Sequence, residues 1–138
     1  MKILVDTDVL LDVALAREPH ADASATLLDV IESGLALGFM TSHSIATFYY
    51  LLDSSRSRGE PVDMIRDLLE FMQVASLDTR AVKEATVLPL RDFEDSMQVV
   101  AALGAQCDVI ATRNTKDFKA SPVRAASPKS LLGELEAS

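Results

Sequence analysis

The chain has 138 residues, room for one domain and not for two. Its composition, 49% hydrophobic and 25% charged, excludes disordered and fibrous classes. A net charge of −8 argues against a plain, sequence-independent nucleic-acid binder, but it suits an enzyme whose acids hold metal ions.

Lys2 to Val5 forms a short apolar run ending at Asp6, the pattern of a buried strand. Val9, Leu10, Val13 and Ala14 recur at helical spacing until Arg17-Glu18-Pro19 ends the helix. A second helix is predicted over Ala21 to Ser33, closed by Gly34. A second strand follows at Leu37 to Met40. Thr41-Ser42 then caps a long helix through Ile45, Phe48, Tyr49 and Leu52, which ends in the polar stretch Asp53 to Gly59. Pro61 opens the next helix, with Met64, Ile65, Leu68 and Leu69 on one face.

Gln73 to Leu77 reads as a third strand, and Asp78 caps a helix from Thr79 to about Leu88, broken by Pro89. Another helix starts near Asp92. Asp108 to Thr112 is a fourth strand, Val123 to Ala126 a fifth, and Ser127-Pro128 caps a terminal helix. Strands alternating with helices predict an α/β fold, with a parallel sheet of four to five strands covered on both faces. Chemistry in such sheets lies beyond the strands' carboxyl ends.

Three acidic groups fall at such places: Asp6 after the first strand, Asp92-Phe93-Glu94-Asp95 at a helix start, and Asp117 beyond the fourth strand. Asp92 and Asp95, at i and i+3, share a helix face, and Glu94 is expected to point elsewhere. Asp8 is expected to cap the helix after the first strand rather than to take part in chemistry. If the three groups converge, their charges require a cation. Oxygen ligands without a Cys/His cluster favour Mg²⁺ or Mn²⁺, which suits phosphoryl transfer.

Other residues receive plainer readings. His20 and His43 are expected at the surface or as capping residues, and Cys107, the single cysteine, as a small apolar filler. The short apolar start is not a signal peptide, so a cytosolic setting is expected. Five basic residues between 112 and 130 (Arg113, Lys116, Lys119, Arg124, Lys129) face one acid, Asp117. They read either as phosphate contacts or as a solvated segment.

In order and spacing, the blocks Asp6-Thr7-Asp8-Val9-Leu10-Leu11-Asp12, Thr41-Ser42, Asp92-Phe93-Glu94-Asp95 and Thr112-Arg113-Asn114-Thr115-Lys116-Asp117-Phe118 resemble PIN domains, from Lys2 to about Leu132. The resemblance implies a three-layer α/β/α sandwich over residues 1–138. It also implies a Mg²⁺- or Mn²⁺-dependent endoribonuclease, commonly the VapC-type toxin of a toxin–antitoxin pair and often a homodimer. Asp6, Asp95 and Asp117 become the catalytic metal ligands, with Thr112 and Asn114 as supporting polar groups. Arg113, Lys116 and Lys119 become RNA contacts. The family usually carries a Glu on the helix after the second strand; Thr47 stands there instead. Either Asp92 or Glu94 compensates, or a second metal is weakly held or absent; some subfamilies with a D-F-E-D third block share that loss, which favours Asp92 as a fourth ligand. The rival reading is a non-catalytic PIN-like binding module, and an aspartate-based phosphatase, on Asp6-Thr7-Asp8, is a more distant third.

Overall fold

A computed structural model describes residues 1–54 and 60–137. It contains five strands: β1 (Lys2–Val5), β2 (Leu37–Thr41), β3 (Met72–Ala75), β4 (Val109–Ala111) and β5 (Ala125–Ala126). Seven helices connect them: α1 (Thr7–Ala14), α2 (Ala21–Glu32), α3 (Ser42–Ser54), α4 (Pro61–Leu69), α5 (Thr79–Ala85), α6 (Phe93–Gly104) and α7 (Pro128–Ala137). A 3₁₀ turn at Thr115–Phe118 follows β4. Of the polar stretch expected to end α3, residues 55–59 lie outside the described residues.

All strand pairs are parallel, in the order β3-β2-β1-β4-β5. The chain therefore begins in the middle of the sheet, winds outward to β3, then crosses back to lay β4 against the other side of β1. The order reverses between β1 and β4, so the crevice beyond their carboxyl ends is where a ligand site is expected. The pairing of Val5 with Ala111 puts Asp6 and Thr112 side by side at that edge.

The sheet's alternation divides the core. Ile3 and Val5 point into one apolar cluster with residues of α1, α2, α3 and α7, whereas Leu4 points into another with Val99, Ala101 and Ala102 of α6. Burial of β1 on both faces explains why its sequence is continuously apolar.

Local signals place most boundaries. The Asp78 and Asp92 carboxylates accept from the amides of Ala81 and Asp95, the capping expected of them. The Thr41 hydroxyl accepts from the amide of Ser44. Gly34, at φ 88, terminates α2 in the left-handed region. Three edges shift. β3 begins at Met72 and ends at Ala75 rather than running to Leu77. α5 stops at Ala85, where the amide of Leu88 turns back onto the Ala85 carbonyl. β5 keeps only Ala125–Ala126, the residues that pair with Ile110 and Ala111.

Gly38 of β2 lies under the first helical layer: a Cβ there would meet Met72 Sδ at 2.6 Å and Ile31 Cγ2 at 2.7 Å. Met72 can move aside, but the β-branched Ile31 is stiff. Gly38→Ala should therefore cost about 1–3 kcal/mol in a urea denaturation. An unchanged midpoint would show that this layer is looser than described.

Candidate active site

Asp6 follows β1 and is the N-cap of α1, its carboxylate accepting from the Thr7 amide. It is 7% exposed, so its charge depends on partners. Oδ1 also accepts from Gln98 Nε2 at 2.9 Å, and Oδ2 from the Thr112 hydroxyl at 2.9 Å. Gln98 Nε2 reaches Ser44 Oγ at 3.1 Å as well, and the Ser44 and Thr41 hydroxyls are 2.8 Å apart. A polar chain thus ties the ends of β1 and β2 to α6 and holds Asp6 in one orientation.

Asp8 does not have the role expected of it, since Asp6 takes the cap position. The Asp8 side chain instead turns to the loop after β4. Its Oδ2 accepts from Asn114 Nδ2 at 3.1 Å and from the Arg113 amide at 3.3 Å. Burial, then the neighbouring Asp6 charge, pushes its pKa up to about 6. Asn114, expected to support the site, does so through Asp8. Thr112 serves Asp6 directly.

The other acids approach from α6 and the 3₁₀ turn. Burial and then the charges of Asp92, Asp6, Asp117 and Glu94 push Asp95 up to about 7. These fields connect Asp6, Asp95 and Asp117 across the crevice. Burial, and next the Asp6 charge, raises the Glu94 carboxyl, yet Glu94 is not among the residues that line the cavity shared by Asp92, Asp95 and Asp117. Asp92 caps α6 through Oδ1. Asp92, Asp95 and Asp117 line one cavity of about 700 Å³ together with Arg91, Lys116 and Lys119.

Arg113 is placed differently from the two lysines. Its Nε lies 2.7 Å from Oδ2 of Asp12, a fully buried carboxylate whose other oxygen is 3.1 Å from Arg17 Nε. Its guanidinium is therefore anchored to α1, and it is not among the residues lining the acidic cavity. Thr47 donates its hydroxyl to the His43 carbonyl within α3 and brings no charge to the site. Among the described residues, no three acidic, histidine or cysteine side chains are gathered tightly enough to form a ready metal cage.

Sequence reasoning missed Gln98 and Ser44 as partners of Asp6's network, and read Thr41 and His43 only as capping or surface residues. Gln98 carried a signal, since it stands three residues after Asp95 on an otherwise apolar helix face. His43 is half-buried rather than superficial. Burial lowers its pKa, partly opposed by the Asp6 charge. Cys107 is a half-buried thiol pushed up to about 11, which keeps it unreactive.

Residues 2–116 match the family model described as PIN domain. No curated protein sequence is similar enough to count as a relative. Among solved structures, the chain resembles VapBC2 of Rickettsia felis bound to a promoter DNA fragment, at TM-score 0.71 and 14% identity over 92% of this chain and 98% of that one. DNA-bound VapBC of Salmonella typhimurium gives TM-score 0.68 and 15% identity over 93% and 98%. Mycobacterium tuberculosis VapC20, described as a toxin that cleaves the sarcin–ricin loop, gives 0.64 and 13% over 78% and 86%. At these identities the likeness establishes the fold.

The raised acids have a consequence for stability. Without a cation, the native state holds protons on Asp8 and Asp95 that the unfolded chain has released. Their contribution is therefore complete below about pH 4 and is lost as pH rises through about 6 and about 7. In EDTA, the denaturation midpoint should fall between about pH 5 and pH 8, and Asp95→Asn should flatten that fall. An equally steep fall in the variant would contradict the assignment.

Proposed function

Because the chain belongs to the PIN domain family, we propose that it is a metal-dependent endoribonuclease of the VapC toxin type, one with a D-F-E-D third block. The observation that carries this reading is geometric: Asp92 and Asp95 at the start of α6 and Asp117 beyond β4 line one cavity, and the Asp6 charge is among the causes that raise Asp95. Acids from three separated segments share one field at the sheet's switch point.

The donor set fits a hard divalent cation. The available ligands are carboxylate oxygens, and two buried acceptors, Asp8 Oδ1 and Gln98 Oε1, have no hydrogen-bond partner. Asp6, Asp95 and Asp117, with Asp92, would hold Mg²⁺ or Mn²⁺. When bound, the ion supplies a Lewis acid that offsets charge on the phosphodiester and acidifies water. The protein's own residues do the rest. Gln98 and Thr112 fix Asp6, so that it need not reorganise during reaction. Lys116 and Lys119, on the cavity wall, attract RNA phosphates to an otherwise acidic protein. The proton that Asp95 keeps near neutrality would be released as its charge is compensated. Asp92, which lines the cavity, is the acid that would replace the charge Thr47 lacks, with Glu94 as the alternative.

The same reading takes in an antitoxin protein as inhibitor, a cytosolic setting and a homodimer. The named solved structures include VapBC pairs, and Tyr50, on α3, is 70% exposed. Among the described residues no helix is long and apolar enough to cross a membrane.

Purified protein with Mn²⁺ should cleave structured RNA, and Asp6→Asn should reduce the rate by at least about 100-fold with the fold retained. Undiminished cleavage in the variant would overturn the assignment. The uncharged Thr47, already hydrogen-bonded within α3, favours one competing reading, a non-catalytic PIN-like binding module. That reading requires weak Mn²⁺ binding by calorimetry and no cleavage by the unmodified protein.

A further inference from the structure

Away from the acidic crevice, α2 and α7 begin beside one another, 12 and 10 residues long. Between their N-termini lies a pocket of about 190 Å³, walled by His20 before α2, Ser24 of α2, Arg113 from the turn after β4, Ser127 before α7 and Lys129 of α7. That volume falls below the roughly 300–1,000 Å³ typical of sites for drug-sized ligands, so it suits an ion or a single small group.

The pocket is built for negative charge. Each helix directs the positive end of its dipole toward its start, although the Ala21 amide is already bonded to the Arg17 carbonyl and the Ser130 amide to Ser127 Oγ. No acid belongs to the wall, and Asp22, in the first turn of α2, is exposed and outside it. The buried Asp12 engages both Arg17 and Arg113, which are partly exposed, so the trio keeps a net positive charge. Only Nε of Arg113 is paired, which leaves its terminal amino groups to donate elsewhere. Lys129 adds a further cation.

Ser24 gives the independent indication. Its side chain is fully buried in the wall, yet its hydroxyl has no hydrogen-bond partner. Buried hydroxyls in native proteins are nearly always bonded, so this one awaits an acceptor that the chain does not supply. We propose that the pocket binds a tetrahedral phosphoryl oxyanion, held by Arg113, Lys129, the Ser24 hydroxyl and the two helix N-termini. The group is either free inorganic phosphate or a backbone phosphate of RNA. This site stands apart from the nuclease reading, since it uses none of the crevice acids and requires no cleavage.

The test is a titration of ¹⁵N-labelled protein with inorganic phosphate in EDTA, followed by amide shifts. Saturable shifts at Ser24 and Lys129 are expected. Lys129→Gln should weaken phosphate binding about tenfold, Ser24→Ala should weaken it measurably, and the exposed control Lys83→Gln should not. A single-stranded RNA titrated in EDTA over a range of salt distinguishes the sources. If the group belongs to RNA, Lys129→Gln lowers the salt slope by about 1; if it is free phosphate, RNA binding is unchanged while phosphate binding weakens. The absence of saturable shifts at the pocket, or an equal loss in Lys83→Gln, would overturn the proposal. Cleavage activity enters neither arm, so failure here and failure of the nuclease reading remain distinguishable.

Discussion

Repulsion among carboxylates at the carboxyl ends of β1 and β4 is the constraint to which the rest of the molecule answers. Asp6, Asp8, Glu94 and Asp95 are partly or fully removed from water, and the charges of Asp92 and Asp117 act on Asp95 as well. A chain stabilised only by packing would not retain such an arrangement, because each neighbour makes the others harder to ionise. Here the protein keeps it and surrounds it with donors. Gln98 and Thr112 serve Asp6, while Asn114 and the Arg113 amide serve Asp8.

The parallel sheet makes this possible. Starting in the middle and reversing direction between β1 and β4 opens a crevice at one end of the molecule. The short, doubly buried β1 delivers Asp6 there with little freedom. The cations are distributed accordingly. Arg113 is drawn to Asp12 beneath α1, whereas Lys116 and Lys119 remain on the cavity wall where a polyanion would arrive. The three belong to one basic stretch in the sequence but do two different jobs in the fold.

Elements whose signals are local were legible in the sequence. The apolar β1, the caps at Asp78 and Asp92, and Gly34 at φ 88 each act within a few residues. The crevice acids stood out as candidates because strand ends and helix starts announce themselves in the same way. Partnerships across the chain were not. Gln98 meets Asp6 at a sequence separation of 92, and Arg113 reaches back to Asp12; neither residue type alone implies its partner. Asp6 and Asp8 competed for one cap, and only the strand's geometry decides for Asp6.

Crystals grown with Mn²⁺, with diffraction recorded above the manganese absorption edge, would examine the central claim directly. The account predicts an anomalous difference peak among Asp6, Asp95 and Asp117. A map with no density there, from crystals in which that crevice is open to solvent and the acids are ionised, would contradict it.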